Sequence, residues 1–180
     1  MTGFQQYDAY DALGLAALVR AGEVGANELL DEALARLDAL NPQLNVVTVR
    51  FEDRARAAIE AGLPDGPFHG VPFLLKDLGA EMRDTPLTNG SRLYEDFICD
   101  FDSTLVARYK RAGLVIFGRT TSPELGLSYA TEPLLHGPAR NPWSHFFVDN
   151  SPSTGTYTRE KSNTVQSVPL ENGTFNPIFK

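Results

Sequence analysis

The feature that most constrains this chain is a short apolar run, residues 71–75, that ends directly at a lysine. Four of its five residues are strongly apolar, and Lys76 and Asp77 follow at once. A run of this length and composition is typical of a strand buried on both faces. The sequence therefore predicts a buried strand with Lys76 and Asp77 at its end.

Helical patterns and short apolar runs alternate on both sides of that strand. The spacing of apolar residues predicts helices over residues 8–21, 51–61 and 103–112, with further strands over residues 46–49 and 114–117. The clearest helix carries its leucines and alanines on one stripe between Leu29 and Leu40. Glu28, three residues after Gly25, supplies half of a capping box, and Pro42 is expected to end this helix. The alternation indicates a layered α/β architecture.

The composition changes abruptly at Trp143. Alanine occurs 18 times up to this residue and never afterwards, and leucine occurs 21 times before it and once after. Ser, Thr and Asn supply 14 of the last 37 residues, a composition that can bury little apolar area. The sequence predicts one domain over residues 1–143 and an unrelated or disordered tail over residues 144–180. A natural flexible tail and a frame-shifted or mis-joined one both remain open.

Charge and composition exclude several classes of protein. A net charge of −7 argues against nucleic acid or an anionic membrane as a partner. No apolar run is long enough to span a bilayer, and the first residues do not read as a signal peptide. The single cysteine, Cys99, has no partner for a disulfide, and no Cys/His spacing is typical of a metal site. A cytoplasmic enzyme without a cofactor is expected.

Lys76 is the candidate for catalysis. A lysine at the end of a buried strand loses hydration, which lowers its pKa and lets it act as a neutral base. The commoner alternative is a surface lysine whose stem lies along the protein and whose ammonium pairs with Asp77. From the residues alone, both interpretations stay open.

Other conspicuous residues favour structural roles. His69 and His136 each precede a glycine and have no evident partner, so both are expected to be loop residues. Glu124 is expected to cap a helix that begins near Pro123, where its charge would favour the helix N-terminus.

Three segments in order resemble the amidase signature family, whose members hydrolyse carbon–nitrogen bonds. Residues 70–77, which contain Lys76, are similar to its lysine motif. Residues 118–124 resemble its G-K-T-N-x-x-E segment, with Arg119 for Lys and Thr121 for Asn. Residues 131–143 resemble the loop that leads into its glycine/serine-rich signature. Within the family, these phrases are most similar to 6-aminohexanoate cyclic-dimer hydrolases.

This resemblance implies the N-terminal portion of the amidase-signature fold, an incomplete mixed sheet covered by helices. It also implies a Ser-Ser-Lys mechanism in which Lys76 is the catalytic base, a bridging serine relays the proton and a second serine attacks the amide. A small-molecule amide is the implied substrate, and no cofactor is required. The sequence leaves open whether the chain forms a homo-oligomer.

The two serines cannot be placed. The expected bridging-serine register falls on Pro152, and the nucleophile register falls near Asn176. Ser151 and Ser153 lie in a hydroxyl-rich tail and are not expected to be catalytic. We therefore expect a truncated, inactive amidase. The alternatives are a non-catalytic interaction or folding fragment, and a piece like the amidase subunit of a tRNA-dependent amidotransferase.

Overall fold

A computed structural model describes residue 4, residues 6–141, and the backbone of residues 168–169 and 175–176. Four helices, α1 (Ala12–Ala21), α2 (Ala26–Leu44), α3 (Glu52–Glu60) and α4 (Thr104–Arg111), surround the strands β1 (Val47–Arg50), β2 (Pro72–Lys76) and β3 (Val115–Thr120). Three short 3-10 helices cover Tyr7–Ala9, Arg92–Tyr94 and Glu124–Gly126. The predicted α/β layering is confirmed.

The three strands form a mixed sheet with β3 in the centre. β1 pairs antiparallel with one edge of β3, and β2 pairs parallel with the other. All six residues of β3 are buried. Parallel pairing requires a long crossover, and the chain between β2 and β3 supplies it with a loop and α4. The predicted strand is present at an edge of this sheet, and it is only partly buried: Pro72 and Leu75 are buried and its other three residues are half-buried.

Two apolar clusters lie on opposite sides of β3, because successive side chains of a strand point to opposite faces. Val115 and Phe117 belong to the larger cluster, which α1, α2 and α3 complete. Ile116 belongs to the smaller cluster with Leu75 of β2 and Val106 of α4. The apolar stripe predicted on α2 faces the larger cluster, where Leu29 and Leu30 are fully buried.

The helix ends follow from local residues. The Asp11 carboxylate accepts the Gly14 N–H at 2.8 Å, so α1 begins at Ala12, not at residue 8 as predicted. The Gly25 N–H donates to Glu28 at 2.7 Å, as the half capping box predicts. The Ser103 hydroxyl oxygen accepts the Val106 N–H, so α4 begins at Thr104, one residue after the predicted start.

The prediction that α2 ends at Asn41 and Pro42 was wrong, since the helix continues to Leu44. Proline already has a helical φ, and the N–H that it lacks costs one hydrogen bond near the helix end. Asn41 then turns the chain into β1: its Oδ1 accepts the N–H groups of Val46 and Val47, each at 2.9 Å, and its Nδ2 donates to the Val47 carbonyl.

The predicted boundary at Trp143 and the tail beyond it fall outside the described residues, apart from two dipeptide strands. These are β4 (Val168–Pro169) and β5 (Phe175–Asn176), which pair antiparallel. The division into residues 1–143 and 144–180 stays a prediction. Across the described residues, no helix has the length and apolar character needed to cross a membrane.

Gly118 provides a test of the sheet. A Cβ at this position would lie 2.6 Å from the Val49 carbonyl oxygen, which belongs to the backbone of β1. We expect Gly118→Ala to force β1 away from β3 and to lower the free energy of unfolding by about 2 kcal/mol in urea denaturation. Gly14→Ala is the control, because its Cβ meets only the Tyr10 and Asp11 side chains and alanine favours the helix. Equal effects of the two substitutions would contradict this account.

Candidate active site

Lys76 is the last residue of β2, and its backbone is held in the sheet. It pairs with Thr120 of β3, and the Asp77 N–H extends the ladder by donating to the Thr120 carbonyl at 3.0 Å. The half-buried amine, Nζ, donates to the Thr121 carbonyl at 3.1 Å. Thr121 is itself fixed, because its N–H donates to the Val46 carbonyl at 2.8 Å. The sheet therefore sets both the origin and the direction of the lysine side chain.

Burial lowers the pKa of Lys76 from 10.5 to about 8, and the neighbouring Asp77 charge opposes this shift. At neutral pH the uncharged fraction of the amine rises from about 0.03% to about 10%. An amine that is neutral this often can accept a proton from a hydroxyl group. The chemistry expected of Lys76 is thus available to it.

Asp77 does not behave as the surface partner in the alternative interpretation. It is fully buried and bound to the loop that follows β2. Its carboxylate accepts the N–H groups of Thr88 at 2.8 Å and Gly90 at 3.2 Å, together with the Thr88 hydroxyl. These three donors satisfy a charge that burial would otherwise make costly.

The loop residue His136 contacts the same carboxylate group through Thr88. Its Nε2 lies 3.1 Å from the Thr88 hydroxyl oxygen and 3.9 Å from the nearer Asp77 oxygen. His136 is a loop residue, as expected, and it has a partner in Thr88 that its neighbours in sequence do not indicate. Forty-eight residues separate His136 from Thr88, so no local spacing could have revealed this contact. His69, by contrast, bonds the Pro64 carbonyl in an exposed turn, as a loop residue would.

Arg119 lies behind the lysine and is fully buried. Its guanidinium donates to the carbonyls of Lys76 at 3.1 Å and Ala80 at 2.8 Å, and to the Thr85 hydroxyl at 3.1 Å. Burial lowers its pKa, while the charge of Asp77 acts in the opposite direction. Arg119 ties the end of β2 to the turn that follows. The sequence pointed to it only as a departure from a motif.

Glu124 does not cap a helix, because the segment after Pro123 is a single 3-10 turn. Its carboxylate instead accepts the Ser91 hydroxyl at 2.7 Å. Leu125 adopts a left-handed backbone, with φ of 52°, and its N–H donates to the Asn89 carbonyl at 2.8 Å. Ser91 and Asn89 thus hold this turn against the loop that carries Thr88.

Neither register expected for a catalytic serine can be compared with this geometry. Ser151, Pro152 and Ser153 lie outside the described residues, and Asn176 is described only as strand backbone. Within residue 4 and residues 6–141, no cluster of three or more His, Cys, Asp or Glu is arranged to hold a metal ion. The described part of the site therefore consists of Lys76 and the hydrogen-bonded residues around it: Asp77, Thr88, Arg119 and His136.

The lowered pKa of Lys76 predicts a pH dependence of stability. A lysine with a lower pKa in the folded chain binds fewer protons when folded, so the free energy of unfolding rises with pH between about 8 and 10.5. We expect Lys76→Met to remove this rise, so that its stability relative to the parent chain falls from about pH 7 to about pH 10. Urea denaturation across this range measures it, with Lys110→Met as the control at an exposed ion pair. Parallel stability curves for Lys76→Met and the parent would contradict the shift.

The sequence of this chain is similar to those of known proteins. The profile of the family described as Amidase matches residues 28–149. The 6-aminohexanoate-cyclic-dimer hydrolase of Paenarthrobacter ureafaciens is 39% identical over 136 residues, which is 74% of this chain and 27% of that protein. A glutamyl-tRNA(Gln) amidotransferase subunit of Alkalilimnicola ehrlichii is 33% identical over 148 residues, 79% of this chain and 30% of that protein.

Solved structures of amide hydrolases are also similar to this chain. A structure of 6-aminohexanoate cyclic dimer hydrolase superposes with a TM-score of 0.74 and 34% sequence identity, covering 86% of this chain and 32% of that one. A bacterial aryl acylamidase of the amidase signature family superposes with a TM-score of 0.70 and 28% identity, covering 81% of this chain and 32% of that one. The chain spans about a third or less of the length of these relatives. The family profile covers most of the chain, and the chain therefore belongs to the amidase signature family.

Proposed function

We propose that this chain carries the general base of an amide hydrolase, and that this base is Lys76. The observation that carries the proposal is the half-buried amine at the end of β2, fixed on the Thr121 carbonyl with its pKa lowered to about 8. In a Ser-Ser-Lys mechanism, the neutral amine accepts a proton from a bridging serine, and a second serine attacks the amide carbonyl. The substrate class is a linear or cyclic small-molecule amide, and the setting is cytoplasmic.

The relatives support this substrate class. Two 6-aminohexanoate-cyclic-dimer hydrolases, at 39% and 38% identity, act on a cyclic amide by their names, and one solved relative is a complex with its substrate. The register expected for the bridging serine holds Pro152, and the register expected for the nucleophile falls near Asn176. We infer that the chain alone does not hydrolyse amides at an enzyme-like rate, because an activated nucleophile provides most of the acceleration.

A chimera tests the role of Lys76. Residues 28–141 would replace the matching segment of the Paenarthrobacter ureafaciens enzyme, and hydrolysis of the 6-aminohexanoate cyclic dimer would be measured. We expect turnover in the chimera and a loss of kcat of about 10²–10⁴-fold in its Lys76→Ala variant. Lys110→Ala, in an exposed ion pair with Asp102, is the matched control and should keep its rate.

Three results would contradict these proposals. A Lys76→Ala chimera that keeps its rate would remove the lysine from the mechanism. A folded chimera without turnover would show that this segment does not support the chemistry. Turnover by the unmodified chain, abolished by Lys76→Ala, would show that residues 144–180 supply a nucleophile.

A second candidate is an interaction or folding module, which the exposed apolar surface favours. Leu93, Leu127 and Leu134 are each more than three-quarters exposed, and β1 and β2 form the two edges of the three-stranded sheet. Exposed apolar side chains and open strand edges favour association with other polypeptides. The amidotransferase relative is, by its name, one component of a multi-subunit enzyme, which is consistent with this role.

The association state tests the second candidate. We expect the chain to elute from size exclusion as concentration-dependent oligomers, with rapid hydrogen exchange at β1 and β2. Leu127→Ser and Leu134→Ser should shift the distribution towards monomer, because they remove exposed apolar area, whereas Asp65→Ser, at a 90% exposed side chain, should leave it unchanged. A protected monomer at all concentrations would contradict association.

A further inference from the structure

We propose that Arg119 is a positioning residue for Lys76, and that its buried guanidinium acts on the lysine by holding the Lys76 backbone carbonyl. Its Nη1 donates to this carbonyl at 3.1 Å. This inference rests on the proposed function, in which Lys76 is the base, and it names a second residue on which the direction of that base depends. Because Arg119 has no exposed surface among the described residues, it acts through Lys76 and not on the substrate.

Arg119 reaches the end of β2 because the pairing of β2 with β3 contains a register shift. Between Phe73 and Leu74 of β2, the pairing skips one residue of β3. Such a bulge changes the face to which the following side chains point. Arg119 Cζ accordingly lies 5.8 Å from the centre of the Phe51 ring, and Phe51 packs in the smaller apolar cluster with Ile116. A guanidinium among apolar side chains depends on hydrogen bonds within the protein.

The peptide group between Lys76 and Asp77 is held from two sides. Its N–H donates to the Thr120 carbonyl at 3.0 Å, and its carbonyl oxygen accepts the Arg119 guanidinium at 3.1 Å. In a trans peptide, the N–H and the C=O point in opposite directions within one plane. Two hydrogen bonds on opposite sides therefore fix that plane, and they fix the backbone from which the lysine side chain leaves.

Three consecutive residues hold three different parts of Lys76. Arg119 holds the carbonyl through its side chain, Thr120 pairs with the backbone, and Thr121 accepts a hydrogen bond from the amine, Nζ, at 3.1 Å. One short segment of chain thus sets both ends of the lysine. Loss of the Arg119 contact would leave the acceptor of the amine in place, but it would release one side of the peptide group that carries the side chain.

The rest of the guanidinium is directed to the turn that follows β2. Nη1 also donates to the Ala80 carbonyl at 2.8 Å, and Nη2 donates to the Thr85 hydroxyl oxygen at 3.1 Å. The Thr85 hydroxyl gives its own proton to the Met82 carbonyl at 2.7 Å, so its oxygen accepts from Arg119. Among the described residues Nε has no hydrogen-bond partner, and the bonds of this guanidinium go to the end of β2 and to its turn.

The mobility of the Lys76 amine tests the proposal in the full chain. At about pH 6 this amine is protonated, because its pKa is about 8, and NMR relaxation of the ammonium nitrogen gives the order parameter of the Cε–Nζ bond. We expect an order parameter above about 0.6 in the parent chain and a fall below this value in folded Arg119→Met. The reason is that the backbone that carries the amine is then held on one side only.

Arg54→Met is the matched control. The Arg54 guanidinium also donates to two backbone carbonyls, those of Arg83 at 3.0 Å and Asp84 at 3.4 Å, but neither bond involves Lys76. We expect the Lys76 order parameter in this variant to equal that of the parent. The Lys110 amine, in its exposed ion pair, is an internal reference in each spectrum and should not change.

The rate of hydrolysis gives a second readout, in the chimera that carries residues 28–141. Arg119→Met should lower kcat by about 10–10²-fold and leave KM within about twofold, because a misplaced base affects the chemical step. In a Lys76→Ala background the same substitution should have no further effect. A residue that only stabilises the fold would lower the rate in both backgrounds.

Each outcome bears on the proposal. A Lys76 order parameter in folded Arg119→Met that equals the parent's would overturn it, as would equal losses in Arg119→Met and Arg54→Met, or a loss of kcat in both Lys76 backgrounds. If Arg119→Met does not fold, Arg119→Lys decides. Its ammonium is one bond shorter than the terminal nitrogens of arginine and cannot hold all three acceptors, so an unchanged order parameter there would also overturn the proposal. A chimera without turnover contradicts the proposed function alone, because the NMR comparison follows the amine and not hydrolysis.

Discussion

The pairing of β2 with β3 is the constraint on which the rest of the described structure depends. β3 is buried along its whole length, and its side chains alternate between the two apolar clusters. Once this strand is fixed, the parallel register sets β2 beside it and places Lys76 opposite Thr120. The same strand then continues into Thr121, whose carbonyl receives the lysine amine. One ladder of backbone hydrogen bonds therefore holds together the sheet between the two apolar clusters and sets the direction of the Lys76 side chain.

Much of the fold could be predicted because its determinants are local. Apolar periodicity located the helices, and the residues Asp11, Gly25 and Ser103 that begin three of them are typical capping or N-terminal residues. The predictions that failed also have physical reasons. Proline was expected to end α2, but in the last turn it costs little, and the helix continues to Leu44. Three side-chain hydrogen bonds of Asn41 then hold the turn from α2 into β1. Helix propensities contain no information about such side-chain contacts.

The candidate site also contains one residue that the sequence could indicate and several that it could not. The apolar run before Lys76 made this residue a candidate, because neighbouring residues indicate the length and burial of a strand. The residues that surround it could not, because Asp77, Thr88 and His136 meet only through tertiary structure, and the buried Arg119 reaches Ala80 across 39 positions. A buried guanidinium beside a buried carboxylate is a costly arrangement unless each charge is hydrogen-bonded. The Asp77 carboxylate accepts three hydrogen bonds and the two terminal nitrogens of Arg119 donate three, while Arg119 Nε has no hydrogen-bond partner among the described residues.

Asn45 connects the end of α2 to a loop that is distant in sequence. This residue ends α2 in a left-handed conformation, with φ of 51°, and its side-chain amide donates to the carbonyls of both His136 and Pro138. These bonds fix the C-terminal end of α2, the longest described helix, to the loop that carries His136. Each residue of a helix advances the next by about 100° around its axis. A one-residue change in the length of α2 would turn this amide away from the loop, so the length of this helix is coupled to the position of a loop roughly ninety residues further along the chain.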